Sequence, residues 1–110
     1  MGSTVNIRYG EDFLKEAKKL SKKYKNIKSD LKEAVDEIAL NMDFGTYLGN
    51  NLYKKRVKNT SIPTGKSGGF RIIIFKQIEN EIVLISIYSK TEKEILSEDE
   101  IRILLNNFFK

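Results

Sequence analysis

The chain has 110 residues, of which 40% are hydrophobic and 32% are charged, with 20 Lys and Arg against 15 Asp and Glu. This size predicts one domain, spanning residues 1–110, with a single modest core. Since the sequence has no cysteine and no histidine, we expect no disulfide, no conventional zinc site, no thiol nucleophile and no cofactor. The net charge of +5 favours a polyanionic partner, most simply nucleic acid, the alternative being a solvated lysine-rich surface.

The sequence also predicts where the protein works. It has no apolar run long enough to cross a membrane. Residues 1–7 lack both the basic leader and the apolar centre of a secretion signal. We therefore expect a cytoplasmic protein with no membrane partner.

The first third of the chain predicts a strand followed by two helices. Residues 5–9 alternate apolar with polar side chains, which is typical of a strand, and Gly10 ends it. Two apolar stripes at helical spacing follow: Phe13, Ala17, Leu20 and Tyr24, then Leu31, Ala34, Val35, Ile38 and Met42. Asp30 and Glu33 form a possible capping box for the second helix, although its start could lie a turn earlier. The short link at 25–29 predicts an antiparallel helical hairpin.

The rest of the chain predicts three strands and a helix. Residues 68–75 and 82–88 have the β-branched and aromatic density of buried strands. Residues 52–58, which precede a polar loop, also read as a strand. Ser97 and Glu100 predict a capping box, followed by an apolar stripe of Ile101, Leu104, Leu105 and Phe108. The order is thus β-α-α-β-β-β-α. We expect an α+β fold with a mainly antiparallel, four-stranded sheet and the helical hairpin on one face.

Strand alternation predicts a cationic face on this sheet. Ile72 and Ile74 point one way and Arg71 the other. In the last strand we expect Val83, Ile85 and Ile87 on one side, and Leu84, Ser86, Tyr88 and Lys90 on the opposite one. Packing the aliphatic faces against the helices gathers a basic cluster on the open face: Lys54, Arg56, Arg71, Lys90 and the phenol of Tyr88. An ordinary solvated face is the alternative, but like charges on neighbouring strands cost up to about 1 kcal/mol per pair. The cluster therefore favours an anionic ligand.

Three segments carry a resemblance to a known family. They read LYKKRV at 52–57, GGFRII at 68–73 and IYSKTEK at 87–93, with a Lys- and Gly-containing loop between the first two. In order and spacing they resemble the RelE/HigB group of bacterial toxins, within the RelE/ParE superfamily, most closely its HigB-type branch. Thr91 stands where a typical RelE sequence has arginine. The element order of the family is similar over nearly the whole chain.

The resemblance implies a type II toxin–antitoxin system. Members are ribosome-dependent messenger RNA endoribonucleases that enter the ribosomal A site, and a co-expressed antitoxin holds them inactive. Cleavage by attack of the 2′-hydroxyl leaves a 2′,3′-cyclic phosphate and needs no metal. By position in the motifs, the resemblance assigns catalytic roles to Lys54, Arg56, Arg71, Lys90 and Lys93.

The chemistry of these side chains agrees with such a reaction. Arg56 and Arg71 can clamp a phosphate that gains charge, whereas arginine is too basic to act as the base. Neighbouring cations favour a neutral lysine, so Lys54 is the expected general base, and Lys90 or Lys93 could neutralise or protonate the leaving oxygen. Tyr88 could stack on a base or orient the phosphate. Together with Tyr88, the other expected RNA-binding residues are Lys55, Lys58 and Lys66.

Two other functions stay open from the sequence. ParE-like toxins, which poison DNA gyrase without cutting RNA, share the fold but lack the basic set. A plain RNA-binding module of the RRM type needs β-α-β-β-α-β order, which the sequence does not predict.

Overall fold

The computed structural model describes residues 5–63, 68–76, 81–91 and 97–108, without the side chain of residue 108. In chain order the elements are β1 Asn6–Tyr9, α1 Glu11–Lys23, α2 Ile27–Asn41, β2 Thr46–Gly49, β3 Leu52–Val57, β4 Phe70–Phe75, β5 Glu81–Ser89 and α3 Glu98–Phe108. The sheet has five strands in the order β1-β5-β4-β3-β2. Only the β1–β5 pair is parallel. The predicted α+β class and the mainly antiparallel sheet are confirmed.

The fifth strand, β2, is the element that the sequence did not predict. It pairs antiparallel with β3 and is only four residues long. Gly45 precedes it with φ +83°, and a Cβ at this position would clash with the carbonyl oxygen of Lys54. Gly45 therefore allows the chain to pass close to β3 just before this edge strand, and Gly49 is its last residue.

The helical hairpin covers one sheet face, as predicted. From the helices, Phe13, Leu20, Tyr24, Ala34 and Ile38 are buried there. They pack against side chains of the three central strands β3, β4 and β5. These are Val57, Phe70, Ile72, Ile74, Ile82, Leu84 and Ile87. The edge of the Tyr24 ring meets Phe70 at 5.4 Å between centroids. This apolar contact fixes the sheet on the hairpin.

The second helix begins earlier than its possible capping box. The helix begins at Ile27, directly after Asn26, and its last residue is Asn41. Met42 follows the helix with a left-handed backbone and is 43% exposed. Met42, which the sequence placed at the end of the apolar stripe of this helix, therefore lies just after it. Asp30 is instead a buried first-turn residue that accepts hydrogen bonds from Thr60, at 2.9 Å from the backbone nitrogen and 2.8 Å from Oγ1. Asp30 thus ties the segment after β3 to α2.

Replacement of Asp30 by alanine should lower the free energy of unfolding by about 2 kcal/mol, because it removes two hydrogen bonds to a carboxylate and leaves the Thr60 N–H unsatisfied. The matched control is Asp36→Ala on the same helix, which removes an exposed pair with Lys32 at 3.2 Å and should cost less than about 0.5 kcal/mol. Urea unfolding of both variants measures the difference. Equal losses would show that Asp30 does not hold the segment.

A β-bulge in β5 overturns the predicted alternation of that strand. Ile73 pairs with Ser86 while Ile74 pairs with Leu84, so Ile85 is an extra residue. Before the bulge, Ile82 and Leu84 face the helical hairpin. After it Ile87 does so, and Tyr88 faces the other way. The expected grouping of Ile87 with Val83 and Ile85, and that of Leu84 with Tyr88, were both wrong because an inserted residue reverses the period-two pattern.

The second sheet face is not open along its whole length, in contrast to the prediction. Part of α3 covers it, with Ile101, Leu104 and Leu105 packed against Leu52, Ile73, Phe75, Val83, Ile85 and Tyr88. The predicted capping box is confirmed, since Ser97 and Glu100 exchange two hydrogen bonds of 3.1 Å. At the end of this face that carries the arginines, Arg56 is exposed whereas Arg71 is buried.

Candidate functional site

The candidate site is a row of side chains across three neighbouring strands. Arg56 of β3 lies opposite Arg71 of β4, and Arg71 lies opposite Tyr88 of β5. Two residues before Arg56 on β3, Lys54 lies opposite Ile73 of β4. Residues directly opposite each other in a sheet share a face. The register therefore places Lys54, Arg56, Arg71 and Tyr88 on one face, as the sequence predicted.

Arg71 is the buried cation of this row, only 3% exposed. Its Nη1 donates a hydrogen bond of 3.1 Å to the carbonyl oxygen of Phe70. Burial lowers the pKa of Arg71 from its ordinary value, the neighbouring charge of Arg56 lowers it further, and Tyr88 opposes both effects. Both effects disfavour the charged form of the Arg71 guanidinium. A bound anion would stabilise that form and so offset the desolvation and the repulsion from Arg56.

Tyr88 lies at the inner end of the row and is 7% exposed. Its hydroxyl is buried and has no hydrogen-bond partner among the described residues. Burial raises the pKa of Tyr88, Arg71 partly opposes this rise, and the charge of Glu100 adds to it. The phenol is therefore a neutral hydrogen-bond donor held next to the buried arginine.

The raised pKa of Tyr88 predicts a pH-dependent part of the stability. An unfolded tyrosine titrates near pH 10, so the folded protein binds this proton more tightly than the unfolded chain. The contribution is complete below about pH 10 and is lost as pH rises through the folded pKa. Consequently, the free energy of unfolding of the wild type, relative to Tyr88→Phe, should be level below about pH 10 and should fall as the pH rises above it. Urea unfolding at each pH tests this, and a constant difference would contradict it.

The outer end of the row opens into a depression of about 500 Å³ at the edge of the sheet. Lys54 and Arg56 line it together with Gly45 and Thr46, where β2 begins, and with the ion-paired Asp43 and Lys55. Arg56 is exposed and Lys54 is half-buried. Among the described residues neither of them forms an ion pair. These two cations can therefore meet an anionic ligand directly.

Lys55, which the sequence placed among the RNA-binding residues, also lines the depression, but its ammonium group is already paired. It points to the opposite side of β3, where it is 2% exposed. Its Nζ lies 3.0 Å from Glu37 and 3.1 Å from Asp43. A buried ammonium with two carboxylates holds α2 and the following segment to the sheet, so its charge is balanced within the chain.

Two other predicted residues, Lys58 and Lys90, lie just beyond the ends of strands that carry the row. Lys58 is exposed just beyond β3, and Lys90 is half-buried just beyond β5, where its backbone N–H donates to the Gly69 carbonyl at 3.0 Å. Thr91 bonds to Ser89 at 2.9 Å and to Tyr24 at 3.3 Å, so this departure from the family pattern has a structural contact. Lys66 and Lys93 lie outside the described residues.

Sequence reasoning missed the wall of the depression and an aromatic cluster beside it. Tyr47 of β2 is 58% exposed, and its ring centroid lies 5.0 Å from that of Tyr53, which in turn lies 5.3 Å from Phe44. The segment from Gly45 to Gly49 carries no strong local strand pattern. It forms a strand because it pairs with β3.

Two absences hold for the part of the chain that the structure describes. No group of three or more acidic side chains there could bind a metal ion. Likewise, none of the helices in those residues has the length and the apolar character that crossing a membrane requires.

Comparison with known protein families identifies the family of this chain. The family model described as the RelE toxin of the RelE/RelB toxin–antitoxin system matches residues 12–107. A search of curated proteins found no match. The match extends from α1 to α3 and includes every described residue of the row. The chain therefore belongs to the RelE family, and it is a toxin of a toxin–antitoxin system with a cognate antitoxin as its partner.

Proposed function

We propose that this toxin is a metal-independent endoribonuclease that cuts messenger RNA in the ribosomal A site and so inhibits translation in the cytoplasm. The observation that carries the proposal is the row of Arg56, Arg71 and Tyr88 on one sheet face, with Lys54 beside it at an open depression. Such a row suits a phosphodiester, because it offers two guanidinium groups and a neutral phenol at one end and solvent access at the other.

The proposed reaction is a transfer of the phosphodiester to its own 2′-oxygen. Lys54, in its neutral form, takes the proton of the 2′-hydroxyl, and the new P–O2′ bond forms as the P–O5′ bond breaks. Arg71 and Arg56 stabilise the charge that develops on the two non-bridging oxygens. Lys90 or Lys93 supplies the proton to the leaving 5′-oxygen. The products are a 2′,3′-cyclic phosphate and a 5′-hydroxyl, with no water consumed.

The remaining cations would guide the messenger to this row. Lys58 is exposed at the end of β3, and together with Lys66 it would contact the phosphates of flanking nucleotides or of ribosomal RNA. The neutral phenol of Tyr88 would donate a hydrogen bond to a phosphate oxygen, which favours its orienting role over stacking because its ring is buried. The site has no histidine. The ribosome would hold the messenger so that the 2′-oxygen is aligned with the adjacent phosphate.

The decisive experiment is cleavage of a defined messenger on purified ribosomes. We expect cuts in the A-site codon with ribosomes present, no cuts without them, and a cyclic phosphate at the new 3′ end, which is the product of a reaction that uses the 2′-hydroxyl as nucleophile. The cognate antitoxin should abolish the cuts. Growth arrest with intact messenger RNA would overturn the proposal. If purified toxin then blocked supercoiling by DNA gyrase, the ParE-like alternative would replace it, whereas RNA binding without cuts would indicate a plain RNA-binding module.

A further inference from the structure

Three hydroxyl groups meet where α1 and β5 end. Tyr24 directly follows α1, and its hydroxyl oxygen lies 3.5 Å from Oγ of Ser89 and 3.3 Å from Oγ1 of Thr91. The Ser89 and Thr91 hydroxyl oxygens lie 2.9 Å from each other. Tyr24 and Ser89 are both buried. This hydroxyl cluster, made of Tyr24, Ser89 and Thr91, therefore links the helical hairpin to the end of β5.

Lys90 stands between the two members of the cluster that come from β5 and its end, and its backbone is fixed as well. The Lys90 N–H donates to the Gly69 carbonyl at 3.0 Å, which continues the pairing of β5 with β4 by one residue. Gly69 in turn lies against the end of β3, since a Cβ at this position would collide with the carbonyl oxygen of Val57. The sheet thus holds the backbone at Lys90.

The direction of the Lys90 side chain follows from this pairing. Successive side chains along a paired strand point to opposite faces of the sheet. Ser89 faces the helical hairpin, where it meets Tyr24, and Tyr88 belongs to the row on the other face. Lys90 is the next residue after Ser89, so its side chain is directed to the face that carries the row.

Packing alone does not account for the hydroxyl cluster. The Tyr24 ring already meets Phe70 edge-on in the apolar core, and a phenylalanine in its place would keep that contact. The hydroxyls add a link that joins the residue before Lys90 to the residue after it. Because a lysine has a long and flexible stem, fixing the chain on both sides narrows the region that its ammonium group can reach.

We propose that Tyr24 and Thr91 are positioning residues, which through the hydroxyl cluster hold Lys90 on the face of the row, where it protonates the leaving 5′-oxygen. In this step a proton passes from Nζ of Lys90 to the 5′-oxygen as the P–O5′ bond breaks, and the lysine becomes neutral. The inference rests on the proposed function and deepens it, because it selects Lys90 over Lys93 and gives the end of α1 a part in the reaction.

The test compares two messengers on purified ribosomes, one with the natural 5′-oxygen at the scissile phosphate and one with sulfur in its place. A thiol is far more acidic than an alcohol, so a 5′-thiolate leaves without a proton. On the natural messenger, Tyr24→Phe and Thr91→Val should each lower the single-turnover rate at saturating toxin by about tenfold. Lys90→Met should lower it by about 10²-fold or more. On the sulfur messenger all three should cleave within about twofold of the wild-type rate.

Matched variants separate positioning from a general loss of structure. Arg71→Gln should stay slow on both messengers, because it acts on the non-bridging oxygens. Thr91→Ser keeps the hydroxyl and should recover most of the rate that is lost in Thr91→Val. Tyr9→Phe changes a tyrosine outside the cluster that is 45% exposed, and it should cleave within about twofold of the wild-type rate. Urea unfolding shows that each variant is folded.

The results that overturn this inference differ from those that overturn the nuclease proposal. The inference is overturned if wild-type toxin cuts the natural messenger and Tyr24→Phe or Lys90→Met cuts it equally fast. It is also overturned if the deficit of Tyr24→Phe persists on the sulfur messenger. Each of these results would leave the nuclease proposal standing. If the wild type cut neither messenger, the proposed function would be overturned, and this inference with it.

Discussion

Arg71→Gln should reduce cleavage of ribosome-bound messenger RNA by about 10²- to 10³-fold, the loss typical of removing one charge-stabilising donor from a transition state. Arg71 is the buried member of the row, lying between Arg56 and Tyr88. Its position is set by the sheet and by its hydrogen bond to the Phe70 carbonyl, so no other cation can take its place. The measurement is the single-turnover rate of A-site cleavage, together with rescue of growth on induction.

The control has the same change in charge at an arginine outside the site. Arg102 lies on α3, where its side chain is 68% exposed and pairs with Asp99 at 3.1 Å. Arg102→Gln should cleave at the wild-type rate within about twofold. Arg71→Lys separates charge from shape, because a lysine keeps the charge but loses the planar fork. We expect it to be intermediate. Full activity of Arg71→Gln in a folded protein would remove this residue from the proposed mechanism.

Lys55→Met should lower the free energy of unfolding by about 2–3 kcal/mol. Breaking a buried ion pair by removing one partner typically costs 3–5 kcal/mol. Here the loss is smaller, since the side chains of Glu37 and Asp43 are 29% and 51% exposed and can turn towards water. Methionine keeps most of the apolar volume, so the loss reports the ion pairs. Urea unfolding measures it.

The neighbouring lysine provides the matched comparison. Lys54→Met is the same substitution one residue earlier in β3, on the side that faces the depression. It should change the stability by less than about 0.5 kcal/mol, yet it should slow cleavage by about 10²-fold or more, as expected for loss of a general base. Lys55→Met should cleave normally per folded molecule. The opposite pattern, with Lys55 needed for cleavage and Lys54 for stability, would mean that the two faces of β3 have been assigned the wrong way round.

Much of the fold followed from local patterns. The stripes beginning at Phe13 and at Leu31 predicted the two helices, and the β-branched segments predicted the three central strands, because periodicities of 3.6 and 2 residues reflect burial on one side. The capping box at Ser97 was correct because both of its partners lie within four residues. The edge strand at Thr46–Gly49 was missed, since its only support is pairing with β3.

The sequence by itself determined the chemistry that the protein can use: no histidine, no cysteine, an excess of cations, and the Lys54, Arg56, Arg71 and Tyr88 set in its motifs. Tertiary structure alone decided which cations face solvent. A bulge at Ile85 keeps Tyr88 beside Arg71, and two acidic residues from outside the sheet balance the charge of Lys55. The physical reason is that side-chain type is a local property, whereas burial and charge pairing depend on contacts between residues far apart in the chain.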